Sequence, residues 1–415
     1  MQLLFPYICG TIILICLHNR NQGMERMNFA HHIPTRILFG AGSLKTLHKQ
    51  NLSGSNALIV MSAGKSSRLN GALDGLQAEL EKAHVRYVLF DKILPNPTKQ
   101  HVMEGAELAR IAGCDFVIGL GGGSSIDSAK AIAVMATNGG DYWDYINSGT
   151  GKRMLLGAKP LPIIAITTTA GTGTEADPWT VITNEESTEK IGFGTPDTFP
   201  VLAVVDPELM LTVPPLLTAY QGFDALFHSV EGYLCRHATP ISDLYALKAI
   251  ELVGQHLPTA VREGGNLAAR EGMALANTLS GMVESTSRCI SEHSLEHALS
   301  AFFPALPHGA GLIMISKAYY THFAKYAVCS ERMVQMARAL GCAQARTALD
   351  FVAALEALQQ ACGVANLRMS DYGIKKEDAR LYAQNARSAM GHLFEGDPVA
   401  LSENDCVALY EAAYR

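Results

Sequence analysis

Charge is sparse in this chain of 415 residues. Asp, Glu, Lys and Arg make up 17%, and 33 basic against 39 acidic residues leave a net charge of −6. A nucleic-acid surface needs a basic stripe, so that class of partner is not expected. No block of like charges forms an interaction tail. No C-x-x-C pair occurs among the nine cysteines, at positions 9, 16, 114, 235, 289, 329, 342, 362 and 406. With an odd count as well, a disulfide framework is not expected, and a reducing, cytoplasmic compartment is. Neither phosphate-loop lookalike is complete: Gly64-Lys65-Ser66 has Ile59 where glycine is required, and Gly151-Lys152 is followed by Arg153. Internal repeats and low-complexity segments are also missing. The apolar run from Leu3 to Leu17 falls short of the about 20 residues a membrane helix needs. It also lacks the basic start and cleavage site of a signal peptide. Residues 1–26 are therefore expected to be an extension outside the fold, with Met24 and Met27 close behind; the alternative is a membrane anchor.

What is present is apolar residue, 48% of the chain, and 37 glycines. That supports a large core, and at roughly 150 residues per domain the length suggests two or three domains. From about 30 to 206, β-rich runs alternate with helical ones. ALIVM (57–61), RYVLF (86–90), FVIGL (116–120), LPIIAI (161–166) and VLAVVD (201–206) predict strands. Between them, 69–83, 98–112 and the stretch after Gly123 predict helices. Such alternation implies a mostly parallel sheet covered by helices. Beyond Pro207, Pro214 and Pro215, β-rich runs nearly vanish. DLYALKAIELVGQHL, REGMALANTLSGMVES, ERMVQMARAL and RTALDFVAALEALQQA repeat apolar residues at helical spacing. The expected architecture is an α/β nucleotide-binding domain over 27–206, an all-helical bundle domain over 207–415, and a cleft between them.

Two loops suit a pyrophosphate. FVIGLGGGSSIDSAK places Gly121, Gly122, Gly123 and Ser124 between a strand and a helix. Glycines let backbone N–H groups approach phosphate, and the helix N-terminus adds free donors. TTTAGTGTE (167–175) also follows a strand and carries five hydroxyls and two glycines. Loops at the carboxyl ends of one sheet flank a common crevice.

The helical half offers a metal constellation. Asp224 and His228 are four residues apart in QGFDALFHSVEGY, so they share a helix face. His293, His297 and His308 follow in SEHSLEHALSAFFPALPHG. A carboxylate with several imidazoles suits Fe²⁺ or Zn²⁺. The segment from His293 to His297 also fits H-x-x-E-H, an inverted zinc-peptidase pattern with Glu296 as general base. That reading leaves the glycine loops and the Asp224/His228 pair without a role.

Taken together, IPTRILFGAGSL (33–44), PNPT (95–98), GGGSSIDSAK (121–130), TTTAGTGTE, AVVDPEL (203–209), TAYQGFDALFHSVEGY (218–233) and the His293–His308 segment resemble the iron-containing (group III) alcohol dehydrogenase family. The resemblance covers nearly the whole chain from Met27. It implies that Asp224, His228, His293 and His308 are metal ligands and that His297 relays a proton near the substrate. It implies that Gly121, Gly122, Gly123, Ser124 and Asp127 form the pyrophosphate loop, and that Thr168, Thr169 and Thr172 touch the cofactor. Lys190 matches a lysine near the cofactor ribose, and Asn96 lies in a motif bordering the same cleft. Three departures stand out. The spacing from His297 to His308 is one residue longer than the family's commonest form. Thr167 and Thr174 replace Pro and Ser in the threonine loop. Ser62 stands where NAD-dependent members often carry Asp, so NADP is not excluded, and Lys65 or Ser66 could hold its phosphate.

The function expected is hydride transfer between a primary alcohol or aldehyde and NAD or NADP, with Fe²⁺ or Zn²⁺ bound, in a homodimer or larger homo-oligomer. The alternative is a nucleotide- and metal-dependent lyase of the dehydroquinate synthase type, which needs several basic residues where the His293–His308 region supplies only Arg288. A nucleotide sensor without catalysis is disfavoured by the intact ligand positions. Trp143, Phe227 and Phe303 are the guesses for substrate-pocket aromatics.

Overall fold

The structure is a computed structural model and describes residues 28–415; the expectations for 1–26 lie outside them. A six-stranded parallel sheet runs in the order β1-β8-β5-β4-β2-β3. Its strands are β1 (Arg36–Phe39), β2 (Asn56–Ser62), β3 (Arg86–Ile93), β4 (Phe116–Gly121), β5 (Ile163–Thr167) and β8 (Leu202–Val205). The period-two rule is visible on β2: Leu58 and Val60 join the core on one face, Ala57, Ile59 and Met61 that on the other. Both faces are covered, by α1 (Ser66–Leu69), α2 (Ala72–Lys82), α3 (Lys99–Ile111), α4 (Gly123–Thr137) and the loops between strands. This is why β2, β4 and β5 read as unbroken apolar runs.

The chain passes from β2 out to β3, then returns to β4 on the other side of β2. The reversal puts a switch point between the carboxyl ends of β2 and β4, where such sheets leave a crevice. The predicted helix at 69–83 is shorter than expected. Gly71, at φ 77°, takes a left-handed conformation that separates α1 from α2. Two features escaped the sequence reading. The short edge strand β1 was legible only as a family motif. The antiparallel hairpin of β6 (Thr180–Asn184) and β7 (Glu189–Phe193) forms a separate small sheet.

From Pro215 onward the described residues form helices: α5 (Pro215–Leu234), α6 (Pro240–Arg262), α7 (Leu267–Thr286), α8 (Ser291–Phe302), α9 (His308–Phe323), α10 (Ala327–Ala339), α11 (Ala348–Ala361), α12 (Ala379–Ala389) and α13 (Glu403–Ala413). They share one core that includes Phe223, Phe227, Tyr319, Tyr320 and Phe351. Thr239 and Ser242 cap α6 reciprocally, each side chain accepting the other's backbone N–H. The halves are joined at several points, most closely between the threonine loop and α7. Gly173 of the threonine loop crosses Gly281 of α7 with backbone against backbone. Asn277 Oδ1 accepts the Gly173 N–H at 2.8 Å. No helix among the described residues is long and apolar enough to cross a membrane.

Candidate metal centre and cofactor cleft

Helix α5 carries Asp224 and His228 one turn apart, α8 carries His293 and His297 one turn apart, and His308 begins α9. Their packing brings four donors together. Asp224 Oδ1 lies 3.7 Å from His228 Nε2, 3.6 Å from His293 Nε2 and 3.4 Å from His308 Nε2. Such separations suit side chains sharing one ion at about 2.0–2.2 Å. Asp224 Oδ1 and His293 Nε2 are buried without a hydrogen-bond partner in the protein. Buried polar atoms are seldom left so, and a divalent cation would satisfy both. The donor set therefore fits the metal that the sequence implied.

Two buried carboxylates stand behind the imidazoles. Glu231, one turn after His228 on α5, accepts from His293 Nδ1, and Glu296 accepts from His308 Nδ1. With Nδ1 carrying the proton, Nε2 keeps its lone pair for the shared point. Burial opposes ionisation of Asp224, but His228 and His308 hold its carboxyl well below the ordinary carboxylate range. Burial, reinforced by the neighbouring imidazoles, lowers His228 to about 3. His297 is likewise held well below its usual range by burial and by Lys190 and His308. Its Nδ1 meets Met390 Sδ at 3.0 Å. Glu296 also accepts from Ser300 Oγ. It is thus committed to orienting His308, and the peptidase reading with Glu296 as free general base is corrected.

The glycine and threonine loops meet beside this cluster. The N–H of Thr168 donates to Gly121 O at 2.9 Å, joining the two loops. A Cβ on Gly122 would lie 2.7 Å from Thr169 Oγ1, and one on Gly123 would lie 2.4 Å from Thr172 Cγ2. Only glycine permits this approach. Gly122 also begins α4 without a side-chain cap, leaving its first donors to a ligand. A cleft opens beside the loops. Gly123, Ser124, Asp127, Thr172, Lys190, Asn96, His228, His293, His297 and His308 line it together. Ser62 ends β2 at the switch point, away from that lining. Gly121, Gly122, Thr168 and Thr169 sit behind it, where the loops touch.

A glycine-loop crevice facing a one-carboxylate, three-imidazole cluster is the arrangement whose sequence pattern matches, over residues 34–207, the family described as iron-containing alcohol dehydrogenase. Residues 218–414 match that family's C-terminal part. The chain belongs to the iron-containing alcohol dehydrogenase family. It is accordingly an oxidoreductase acting on alcohols and aldehydes. Alcohol dehydrogenase 4 of Schizosaccharomyces pombe is 36% identical over 390 residues, covering 92% of this chain and 89% of the relative. The 1,3-propanediol dehydrogenase of Klebsiella pneumoniae is 32% identical, covering 94% of this chain and 100% of its own. Among solved structures, the archaeal Red Sea brine pool alcohol dehydrogenase ADH/D1 superposes with a TM-score of 0.89 at 33% identity, covering 94% and 100% of the two chains.

Within this member of the iron-containing alcohol dehydrogenases, several side chains have partners the sequence did not indicate. Asp127, expected in the pyrophosphate loop, lies in the second turn of α4, and its carboxylate is engaged inside the protein by Thr174 Oγ1 at 2.6 Å and the Val181 N–H at 2.9 Å. Lys190 Nζ donates to Asn96 Oδ1 at 3.0 Å and lies 3.8 Å from Glu296 Oε2. Asn96, at φ 54°, donates to Pro304 O at 3.0 Å on the loop before His308. The aromatic guesses are corrected. Trp143 packs on Tyr142 and donates to Thr150, Phe227 stacks on Tyr320 in the helical core, and Phe303 packs on Tyr382. None of the three lines the cleft, which is walled by Pro97, Trp179, Val181, Met390 and Leu393. Trp179, Val181, Met390 and Leu393 lie in segments that the sequence motifs do not cover, whereas Pro97 lies in PNPT; GGGSSIDSAK ends on Lys130 but gives no sign that this side chain is fully buried. Its Nζ ties α4 to Thr174 at 2.7 Å and Asp177 at 2.9 Å.

Proposed function

We propose that this chain is a metal-dependent alcohol dehydrogenase, or aldehyde reductase in the reverse direction, exchanging hydride between a primary alcohol or aldehyde and NAD(P). Asp224, His228, His293 and His308 would hold Fe²⁺ or Zn²⁺. The observation that carries this reading is one carboxylate oxygen surrounded by three imidazole Nε2 atoms, opposite a glycine loop in one cleft. A cation held there supplies Lewis-acid polarisation of the substrate oxygen. The nicotinamide supplies the hydride acceptor. The chain's own residues do the rest. Glu231 and Glu296 fix the tautomers of His293 and His308. The neutral His297 has Nδ1 against Met390, which leaves Nε2 to take the hydroxyl proton and pass it on. The apolar wall limits water at the reacting carbon and favours short or medium primary alcohols.

Asp224→Ala and His293→Ala are expected to lose bound metal and turnover together, read by metal analysis beside NAD(P)H absorbance. Full turnover in either variant after chelation would overturn the mechanism. Ser62 at the end of β2, followed by Lys65 and Ser66, leans the cofactor choice toward NADP. An NAD(H) preference above about tenfold would remove that lean. Every described cysteine is free, which supports a cytoplasmic setting. The family resemblance supports a homodimer or larger homo-oligomer.

A further inference from the structure

The wall of the cleft beside the metal centre carries a sulfur donor that the proposed mechanism leaves without a role. Cys289 sits in the turn between α7 and α8, 7% exposed. Ligand atoms of His228, Cys289 and His293 lie within 4.8 Å of one another. Those of Asp224, His293 and His308 form another such group. The groups share His293, whose Nε2 is buried and without a hydrogen-bond partner, so it is available to either. The Cys289 thiol donates to Glu284 Oε1 at 3.1 Å, and the same oxygen lies 3.5 Å from His228 Nε2. The thiol thus already has a carboxyl oxygen as hydrogen-bond acceptor on the His228 side.

We propose that the cleft gives a bound cation a second position, completed by Cys289 Sγ together with His228 and His293, that draws thiophilic divalent ions away from Asp224 and His308. This rests on the cation reading given above. One ion occupies one position at a time, because His293 serves both. Ligand softness decides the choice. An Asp224-containing set suits a harder ion such as Mn²⁺, whereas a thiolate favours Zn²⁺. An ion on Cys289 also leaves His308, and with it the side of the cleft where His297 would take the substrate proton.

The full chain, stripped of metal and loaded anaerobically with Co²⁺, separates the outcomes. Visible d–d absorption reports any bound ion, and near-ultraviolet sulfur-to-cobalt charge transfer reports only a thiolate ligand. Both are expected in the unmodified protein, with the charge-transfer band lost in Cys289→Ser. Visible bands without charge transfer, or charge transfer that survives the substitution, would overturn the second position alone. Failure to bind Co²⁺ at all would overturn the underlying cation reading. By calorimetry, Cys289→Ser should weaken Zn²⁺ binding about tenfold or more while Mn²⁺ changes less than about twofold. Equal losses of both ions would reject the proposal.

Discussion

Glu296 links three parts of the candidate metal centre. Its carboxylate accepts from His308 Nδ1 and from Ser300, and it lies 3.8 Å from Lys190 Nζ, itself bonded to Asn96. In the sequence it reads as the glutamate of H-x-x-E-H; in the fold it holds the His308 imidazole from behind. Glu296→Ala is therefore expected to lower metal affinity about 10- to 100-fold, measured by competition with a chelating dye. His297→Ala is the contrasting case. Metal content should remain near that of the unmodified protein while turnover falls about 10²- to 10⁴-fold. Loss of metal instead would make His297 a ligand. Asp224/His228 and His293/His297 stood out in the sequence because each pair repeats one helical turn. Glu231, three residues after His228, carries the same helical signal. Its role was not legible, because its partner lies 62 residues away.

At the element scale, function depends on how closely the threonine loop and α7 approach. A Cβ on Gly281 would lie 2.0 Å from Gly173 O, and a backbone neighbour cannot swing aside. Gly281→Ala should destabilise the fold by about 3 kcal/mol, the upper end of ordinary overpacking, in urea titrations. It should also weaken cofactor binding, since Thr172 and Gly173 move together. Unchanged stability would mean the two elements can separate without cost. The glycine loop was legible from its strand-glycine-helix order. The β6–β7 hairpin was not, although it supplies Val181 and Lys190 to the cleft wall. Each strand is only five residues long and β7 mixes charged with apolar residues, so no period stands out.

Across the whole molecule, the C-terminal segment is tied back to the start of α8 and the end of α5. Asp397 Oδ1 accepts the Ser291 N–H at 3.1 Å at the start of α8, and Asp397 O accepts from Arg236 Nε at 2.9 Å. Burial pushes the Asp397 carboxyl up from 3.8 to about 7. The folded state thus holds this proton more tightly than the unfolded chain. This contribution is full below about pH 4, declines as pH rises, and is gone above about pH 7. A shift of that size corresponds to about 4 kcal/mol. Asp397→Asn should flatten the fall in Tm between pH 5 and pH 8; an unaltered slope would assign the pH dependence elsewhere. By itself the sequence determined the division into a parallel-sheet half and a helical half, and it marked the glycine and threonine loops and the Asp and His residues as candidates. Those signals are local, carried by strand and helix periods and by glycine and hydroxyl spacing. Only the tertiary structure decided that Asp224, His228, His293 and His308 meet, which carboxylates stand behind them, that Asn96 reaches Pro304 across 208 residues, and that Cys289 faces the same centre. Contacts between distant segments arise from helix packing, which no spacing along the chain records.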